Sequence, residues 1–415
     1  MIKRELYLKK IRKLIGKEEV KVITGVRRSG KTCLLKLIEE ELIKNGISPN
    51  NIFYFSFESY RYDNIKNYKD LNNYIFDITK SLEGKTYLLF DEIQMVQDWE
   101  KSINAFRVDL DADIYITGSN SKLLSGELAT LLSGRYIKIN VFPLSFRELA
   151  EYKLDLHIEK KVHGYDTYSS DSSIINLFQE YLRYGGFPGL LKYDEFEKLD
   201  YLKDIYDSII LNDILKRSRI TDIDLLKRLI RYAITATGKT FSSVSIYKFL
   251  KSEGIETSPK TILNYMEHIS NSHLIYCAKR EDVKTKNILK SQEKYYVVDS
   301  SFYNMLNWED DWDMGSLLEN IVYIELLRRG YQVTIAKVNN LEADFKCRKN
   351  DRIIYIQVSD SILEKSTKIR ELEPLKRIGD NYPKYIITAD NMKQNLGSFI
   401  HLNIIDFLLS TDEEF

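Results

Sequence analysis

VITGVRRSGKT, residues 22–32, runs a β-branched segment into Gly25, four further residues, and Gly30-Lys31-Thr32. The pattern G-x-x-x-x-G-K-[ST] is a phosphate-binding loop. The spacing follows from chemistry. Gly25 and Gly30 let the backbone curl around phosphate oxygens and point its N–H groups inward, where a Cβ would obstruct the approach. Lys31 reaches the β- and γ-phosphates, and the Thr32 hydroxyl is a Mg²⁺ ligand. The apolar-periodic run that begins at Cys33 predicts a helix, and its N-terminal end is favourable to an anion. Gly25, Val26, Arg27, Arg28, Ser29, Gly30, Lys31, Thr32 and Cys33 are therefore the expected nucleotide contacts.

Working outward, Asn50–Phe57 reads as a strand and Leu71–Leu82 as a helix. Thr86–Glu92, TYLLFDE, is a continuous apolar run ending in two carboxylates, the pattern of a strand buried on both faces. Ligands gather at the carboxyl ends of such strands, which places Asp91 and Glu92 beside the loop. Asp91 is expected to hold Mg²⁺ through water, and Glu92 to orient and activate the attacking water. The next strand, Asp113–Thr117, ends in Gly118-Ser119-Asn120; Asn120 or Ser119 is placed to sense the γ-phosphate, unless the segment is only a turn. Arg135 is either an arginine finger for a neighbouring subunit or a solvated side chain.

The whole chain sets the bounds. Its 415 residues suffice for two or three domains, and the 61 basic and 61 acidic side chains cancel, so any nucleic-acid contact needs a local patch. Three scattered cysteines point to a reducing cytoplasm, and five histidines outside any ligand spacing argue against zinc. No run approaches the ~18 apolar residues of a membrane span, so a cytoplasmic protein without a membrane partner is expected.

Further along, Leu225–Thr237, Val244–Ser252 and Ser258–Ser270 read as helices, and Leu274–Lys279 and Lys294–Val298 as strands around a basic turn. Three helices and a hairpin make a winged-helix pattern, with Lys260, Thr261, Asn264 and Tyr265 on the recognition helix and Lys284, Lys286 and Lys290 on the wing as candidate DNA contacts. Glu267, Glu281 and Asp282 dilute that patch, so a protein-binding role stays open. From about Gly315 an α/β pattern follows, with strands at Gln332–Ala336, Leu341–Arg348, Arg352–Val358 and Lys384–Thr388.

Taken in order, GVRRSGKT, YLLFDEIQ, ITGSNSKLLSGELATLLSGR, VFPLSFRELAEY, YGGFPGLL, LNDILKR, SLLENIVYIELLRRG, EADF and YIQVS resemble the prokaryotic AAA+ (P-loop) ATPases that carry a nuclease-like C-terminal domain. The resemblance implies an α/β fold with an AAA+ core over residues 1–150, a helical lid over 151–220, a winged helix over 221–314 and a PD-(D/E)xK, restriction-endonuclease-like domain over 315–415. It implies ATP and Mg²⁺ as cofactors and ATP hydrolysis as the activity, coupled to DNA. A nucleotide switch or scaffold for a protein partner, a homo-oligomer, and an ATP-licensed nuclease are the alternatives. The nuclease-like site is degenerate: Glu319 and Asp344 fit acidic positions, but Gln357 and Ser359 stand where an acid and a lysine belong. Lys365 or Lys368 would have to migrate to restore it. Neither VFPLSFRE nor GGFP carries chemistry readable from its side chains.

Overall fold

The computed structural model describes residues 1–119, 134–156, 168–218, 220–288, 292–307 and 312–411. They form two compact units, Met1–Phe142 with Asn271–His273, and Pro143–Ser270 with Leu274–Phe415. Among the described residues no helix is long and apolar enough to cross a membrane.

The first unit begins with α1 (Glu5–Arg12), which buries Tyr7, Leu8 and Ile11 and leaves its basic residues outside. Then β1 (Val20–Thr24), α2 (Lys31–Lys44), β2 (Ile52–Ser56), α3 (Tyr68–Thr79), β3 (Thr86–Asp91), α4 (Trp99–Asp109), β4 (Ala112–Gly118) and β5 (Tyr136–Asn140) alternate along the chain. The five strands are parallel, in the order β2-β3-β4-β1-β5. Side chains alternate across the sheet, so one run feeds two cores. Val22, Leu88, Phe90, Ile114 and Ile116 pack with Leu71, Ile75, Ile103 and Phe106 of α3 and α4. Ile23, Tyr87, Leu89 and Tyr115 pack with α1 and α2 through Leu8, Ile11, Leu34 and Ile38. That double burial explains the continuous apolar strands. Lys21 is the exception inside β1. It is fully buried but paired, with its Nζ 2.6 Å from Asp113 Oδ1, and Tyr115 Oη and the Gly16 N–H donate to the other carboxylate oxygen. A buried ion pair survives only when its remaining lone pairs are satisfied in this way.

The second unit opens with α5 (Phe146–Lys153), α6 (Ser172–Tyr184) and α7 (Glu195–Ser208). α7 stops at Ser208, and the chain continues as a wider π-turn over Ile209–Ile214. Helices α8 (Ile223–Thr235), α9 (Ser243–Ser252) and α10 (Pro259–Asn271) follow, each with an amphipathic face turned inward. β6 (Ile275–Ala278) pairs antiparallel with β8 (Lys294–Val297) as expected. Between them, however, β7 (Arg280–Asp282) leaves the hairpin. After α11 (Ser300–Leu306) and α12 (Met314–Arg328) come β9 (Gln332–Val338), β10 (Leu341–Lys349), β11 (Arg352–Ser359), α13 (Lys365–Arg377), β12 (Lys384–Thr388), β13 (Ile400–Asn403) and α14 (Ile404–Leu409). Their sheet runs β13-β12-β11-β10-β9-β7, antiparallel in the middle and parallel at both sides. The basic turn is therefore no free wing. Its first residues are an edge strand beside β9, and Lys284 Nζ donates to Asn339 in the β9–β10 turn, 3.0 Å away.

The two motifs without side-chain chemistry turn out to be backbone joints. Leu144 N donates to Gly186 O at 2.7 Å, and a Cβ on Gly186 would lie 2.1 Å from Leu144 O. Gly185, at φ +71°, leaves room for the Asp299 carboxylate, which accepts from Gly186 N at 2.8 Å. Only glycine admits both approaches.

Candidate functional site

β1 ends at Thr24 between β4 and β5, and the chain turns at once into the phosphate loop. Gly25 has φ +147°, and a Cβ there would lie 2.1 Å from Val141 O, so the loop passes under the end of β5 where no side chain fits. Arg28 and Gly30 also take positive φ, and Gly30 leads directly into α2. Lys31 is buried, with Nζ donating to the Gly25 and Val26 carbonyls, both at 3.1 Å. Ser29 Oγ is buried with no hydrogen-bond partner among the described residues, an oxygen left for a ligand to satisfy. Thr32 and Cys33 are exposed at the first turn of α2.

From β3, Asp91 emerges buried and doubly bonded. Thr117 Oγ1 donates to its Oδ1 at 2.6 Å, and Tyr54 Oη to its Oδ2 at 3.1 Å. The same Thr117 Oγ1 accepts from Glu92 N at 2.9 Å. Glu92 is held at φ +54°, and Gln94 donates to its carboxylate. Burial pushes the Glu92 carboxyl above its ordinary range, opposed by the nearby Lys31 ammonium and the Gln94 hydrogen bond. Loop lysine and strand-end carboxylate thus share one electrostatic neighbourhood. The residues fit a magnesium ion: Asp91 keeps free lone pairs beyond its two hydrogen bonds, and Thr32 offers an exposed hydroxyl.

Sequence reasoning misses three supports of this site. Thr117 reads as one more strand residue, and Tyr54 as strand packing. Arg4 belongs to a basic segment, yet its guanidinium is buried and donates to Ser29 O at 3.1 Å and Phe142 O at 2.8 Å, tying the loop to the end of the unit. Of the expected sensors, Ser119 is buried just past β4, and Asn120 lies outside the described residues. Arg135 is exposed immediately before β5, at the edge of the sheet opposite the loop, so it does not serve this chain's own site.

His273, within the same unit, is buried and at φ +61°. Burial first, then the Lys138 and Lys31 charges, pull its imidazole down to about 3.

In the second unit Glu319 and Asp344 do come together with Gln357, and Asp344 sits at a β-bulge between Ala343 and Lys346. A bulge re-aims a side chain off the regular pleat. Gln357 Oε1 accepts from Asp344 N at 3.2 Å, its Nε2 donates to Glu371 at 2.8 Å, and Val358 N donates to Asp344 Oδ2 at 2.8 Å. The cation is Lys294 of β8, which no motif singles out, with Nζ 2.8 Å from Glu319 Oε1 and 3.8 Å from Asp344 Oδ1. Neither expected rescuer is seen there: Lys368 Nζ donates to Gln394, and Lys365 begins α13.

The expected DNA contacts divide. Lys260 and Asn264 are exposed and Thr261 half-buried. Tyr265 is a correction: it is buried, and its hydroxyl accepts from Asp222 N at 3.3 Å, because it shares the inward face of α10 with Ile262, Met266 and Ile269. Lys284 and Lys286 lie in the turn after β7, and Lys290 lies outside the described residues.

Comparison with known proteins gives two family matches: an AAA domain over residues 17–150, and a domain of unknown function over residues 175–312. An uncharacterized protein of Haemophilus influenzae is 40% identical over 410 residues, 99% of both chains. An uncharacterized protein of Methanocaldococcus jannaschii is 35% identical over 332 residues, 79% of this chain and 71% of that one. Among solved structures, a Walker-type ATPase of Pyrococcus abyssi aligns over 74% of this chain and 96% of its own, at 14% identity and a TM-score of 0.49.

Proposed function

We propose that this chain, which belongs to one family of prokaryotic AAA-type ATPases with its Haemophilus influenzae relative, hydrolyses ATP with Mg²⁺ at the Gly25–Thr32 loop. The observation that carries the reading is the bonded run Asp91–Thr117–Glu92 set beside the loop lysine. Backbone N–H groups of the loop would cradle the phosphates, and Lys31 would exchange its two carbonyl partners for phosphate oxygens. Thr32 and Asp91 would hold the magnesium ion, whose chemistry is to neutralise charge on the phosphates. Glu92, with its backbone N–H fixed by Thr117, is positioned to orient water and accept its proton at the carboxylate. Arg135 enters only in trans, in a homo-oligomer. Steady-state ATPase assays with and without Mg²⁺ test this. Lys31→Ala should lose nucleotide binding, and Glu92→Gln should retain ATP without turnover; Glu92→Gln at the wild-type rate overturns the assignment.

For the output, we propose that α8–α10 with β6 and β8 act as a winged helix and that the six-stranded sheet is a nuclease-like scaffold. Lys227, Arg228, Arg231, Lys248, Lys251 and Lys260 are exposed on these helices, against Asp224 and Glu267, with Asp222, Glu253 and Glu256 exposed in the adjoining turns. That excess favours DNA phosphate as the partner over a protein switch. Charge reversal at Lys227, Lys248 and Lys260 should weaken duplex binding and lower its salt slope by about one for each phosphate no longer neutralised. Unchanged binding in fluorescence anisotropy at two salt concentrations would favour the protein-partner reading.

A further inference from the structure

A nuclease-like core of this kind implies a divalent ion held by adjacent carboxylates, with a lysine at the scissile phosphate. The side chains of this chain do not fit that ion. Glu319 Oε1 already takes Tyr296 Oη at 2.6 Å and Lys294 Nζ at 2.8 Å. Asp344 Oδ2 is spent on Val358 N, and Gln357 Oε1 on Asp344 N. Among the described residues, what remains open is Glu319 Oε2 and Asp344 Oδ1, and the Lys294 ammonium lies against Asp344 Oδ1 at 3.8 Å. A magnesium ion needs about six oxygens at ~2.1 Å, and the ammonium stands in the space those oxygens would share.

The charges agree with the geometry. Gln357 in place of an acid leaves two carboxylates, Glu319 and Asp344, in the slot, and the Lys294 ammonium reduces their two negative charges to one. Burial works against the Lys294 charge, but Glu319 and Asp344 outweigh it and hold its pKa above the ordinary value. Burial, then the Glu319 charge, push the Asp344 carboxyl up, and the Lys294 charge and the Val358 N–H pull it back down.

We propose that Lys294 is the resident cation of this slot, standing in place of a divalent metal and making the C-terminal fold a metal-independent module. The lysine reaches the slot from the strand before the nuclease-like region, not from that region's own motif. The inference rests on the nuclease-like reading of the six-stranded sheet and not on the ATPase reading.

The test is Mn²⁺ binding to the nucleotide-free full chain, followed by the loss of the free-ion electron paramagnetic resonance signal. In the wild type, Asp344→Asn should leave Mn²⁺ binding unchanged. Lys294→Met should create one new site, at least tenfold tighter than any Asp344-dependent binding in the wild type, and adding Asp344→Asn should abolish it. Either a wild-type Mn²⁺ site that vanishes in Asp344→Asn, or no new site in Lys294→Met, overturns the proposal. If Lys294→Met does not fold alone, refolding with Mn²⁺ should rescue it, and failure of rescue counts against the proposal equally. ATP turnover of Lys294→Met at the wild-type rate separates this result from the fate of the nucleotide site.

Discussion

Replacing Thr117 by Val removes one hydroxyl and keeps the shape of the side chain, so no cavity enters the comparison. The hydroxyl makes two bonds, donating to Asp91 Oδ1 at 2.6 Å and accepting from Glu92 N at 2.9 Å. Asp91 is 2% exposed and Thr117 fully buried, so water does not replace the bond to the carboxylate. A bond to a charged group contributes ~1.5–3 kcal/mol and a neutral one ~1 kcal/mol, so the variant should lose about 2–4 kcal/mol. That is a sizeable share of a typical domain's ~5–15 kcal/mol. The catalytic effect should be separable. Glu92 is held at φ +54° with its N–H on Thr117, and without that anchor kcat should fall ~10–100-fold, equal to ~1.4–2.7 kcal/mol of barrier. KM for ATP should stay within about threefold, since Gly25–Thr32 is untouched. Thr117→Ser, which keeps the hydroxyl, should recover most of both losses. Urea unfolding of the first unit and steady-state kinetics provide the measurements. If Thr117→Val matches the wild type in kcat and in urea midpoint, the bonded run from Asp91 to Glu92 has no bearing on turnover.

Other outcomes follow from the same geometry. Gly186→Ala, whose Cβ would lie 2.1 Å from the Leu144 carbonyl, should destabilise the second unit by ~2 kcal/mol or more; unchanged protease resistance would count against the joint. The pKa of Glu92 is raised, so the acid limb of the kcat–pH profile should lie above the ordinary carboxylate value of 4.5, and a limb below it would contradict Glu92 as base. His273 has a folded value depressed to about 3 from 6.5, so its contribution is full above pH 6.5 and is lost as pH falls toward 3. By pH 5 that amounts to about 2 kcal/mol, read from urea midpoints at pH 7 and 5; a wild type and His273→Asn that lose stability equally over that range would refute it.

Local pattern carries the first unit. The loop with the strand end that leads into it is eleven consecutive residues, and Asp91-Glu92 closes an apolar strand, so both can be read without knowing what lies across the sheet. Thr117 cannot be read, because its role depends on the pairing of β3 with β4, which brings it beside Asp91. Arg4 depends on a carbonyl 138 positions away. Tyr265 is different, since Ile262, Met266 and Ile269 already mark one face of its helix at three- and four-residue spacing, and the tyrosine falls on that face. That signal is present in the sequence, and the winged-helix pattern masks it. β7 carries no signal, since three consecutive charged residues do not look like a strand until β9 lies beside them.

The joints of the second unit explain why two distinctive motifs have no legible chemistry. In GGFP the important feature is what glycine lacks: the absence of a Cβ at Gly185 lets the buried Asp299 carboxylate reach Gly186 N, and the absence at Gly186 lets Leu144 O approach. Burial raises the Asp299 carboxyl, while Ser301 and the Gly186 N–H pull it back down. Asp299 also accepts from Ser301 N at 3.1 Å at the start of α11, so one side chain caps a helix and closes a turn more than a hundred residues away. VFPLSFRE supplies the matching backbone: Leu144 O also accepts from Tyr181 Oη at 3.3 Å, and the buried Arg328 donates to Pro143 O at 3.3 Å. Backbone carbonyls and missing side chains leave no residue type to recognise, so their chemistry becomes legible only when α5, α6, α11 and α12 are placed together.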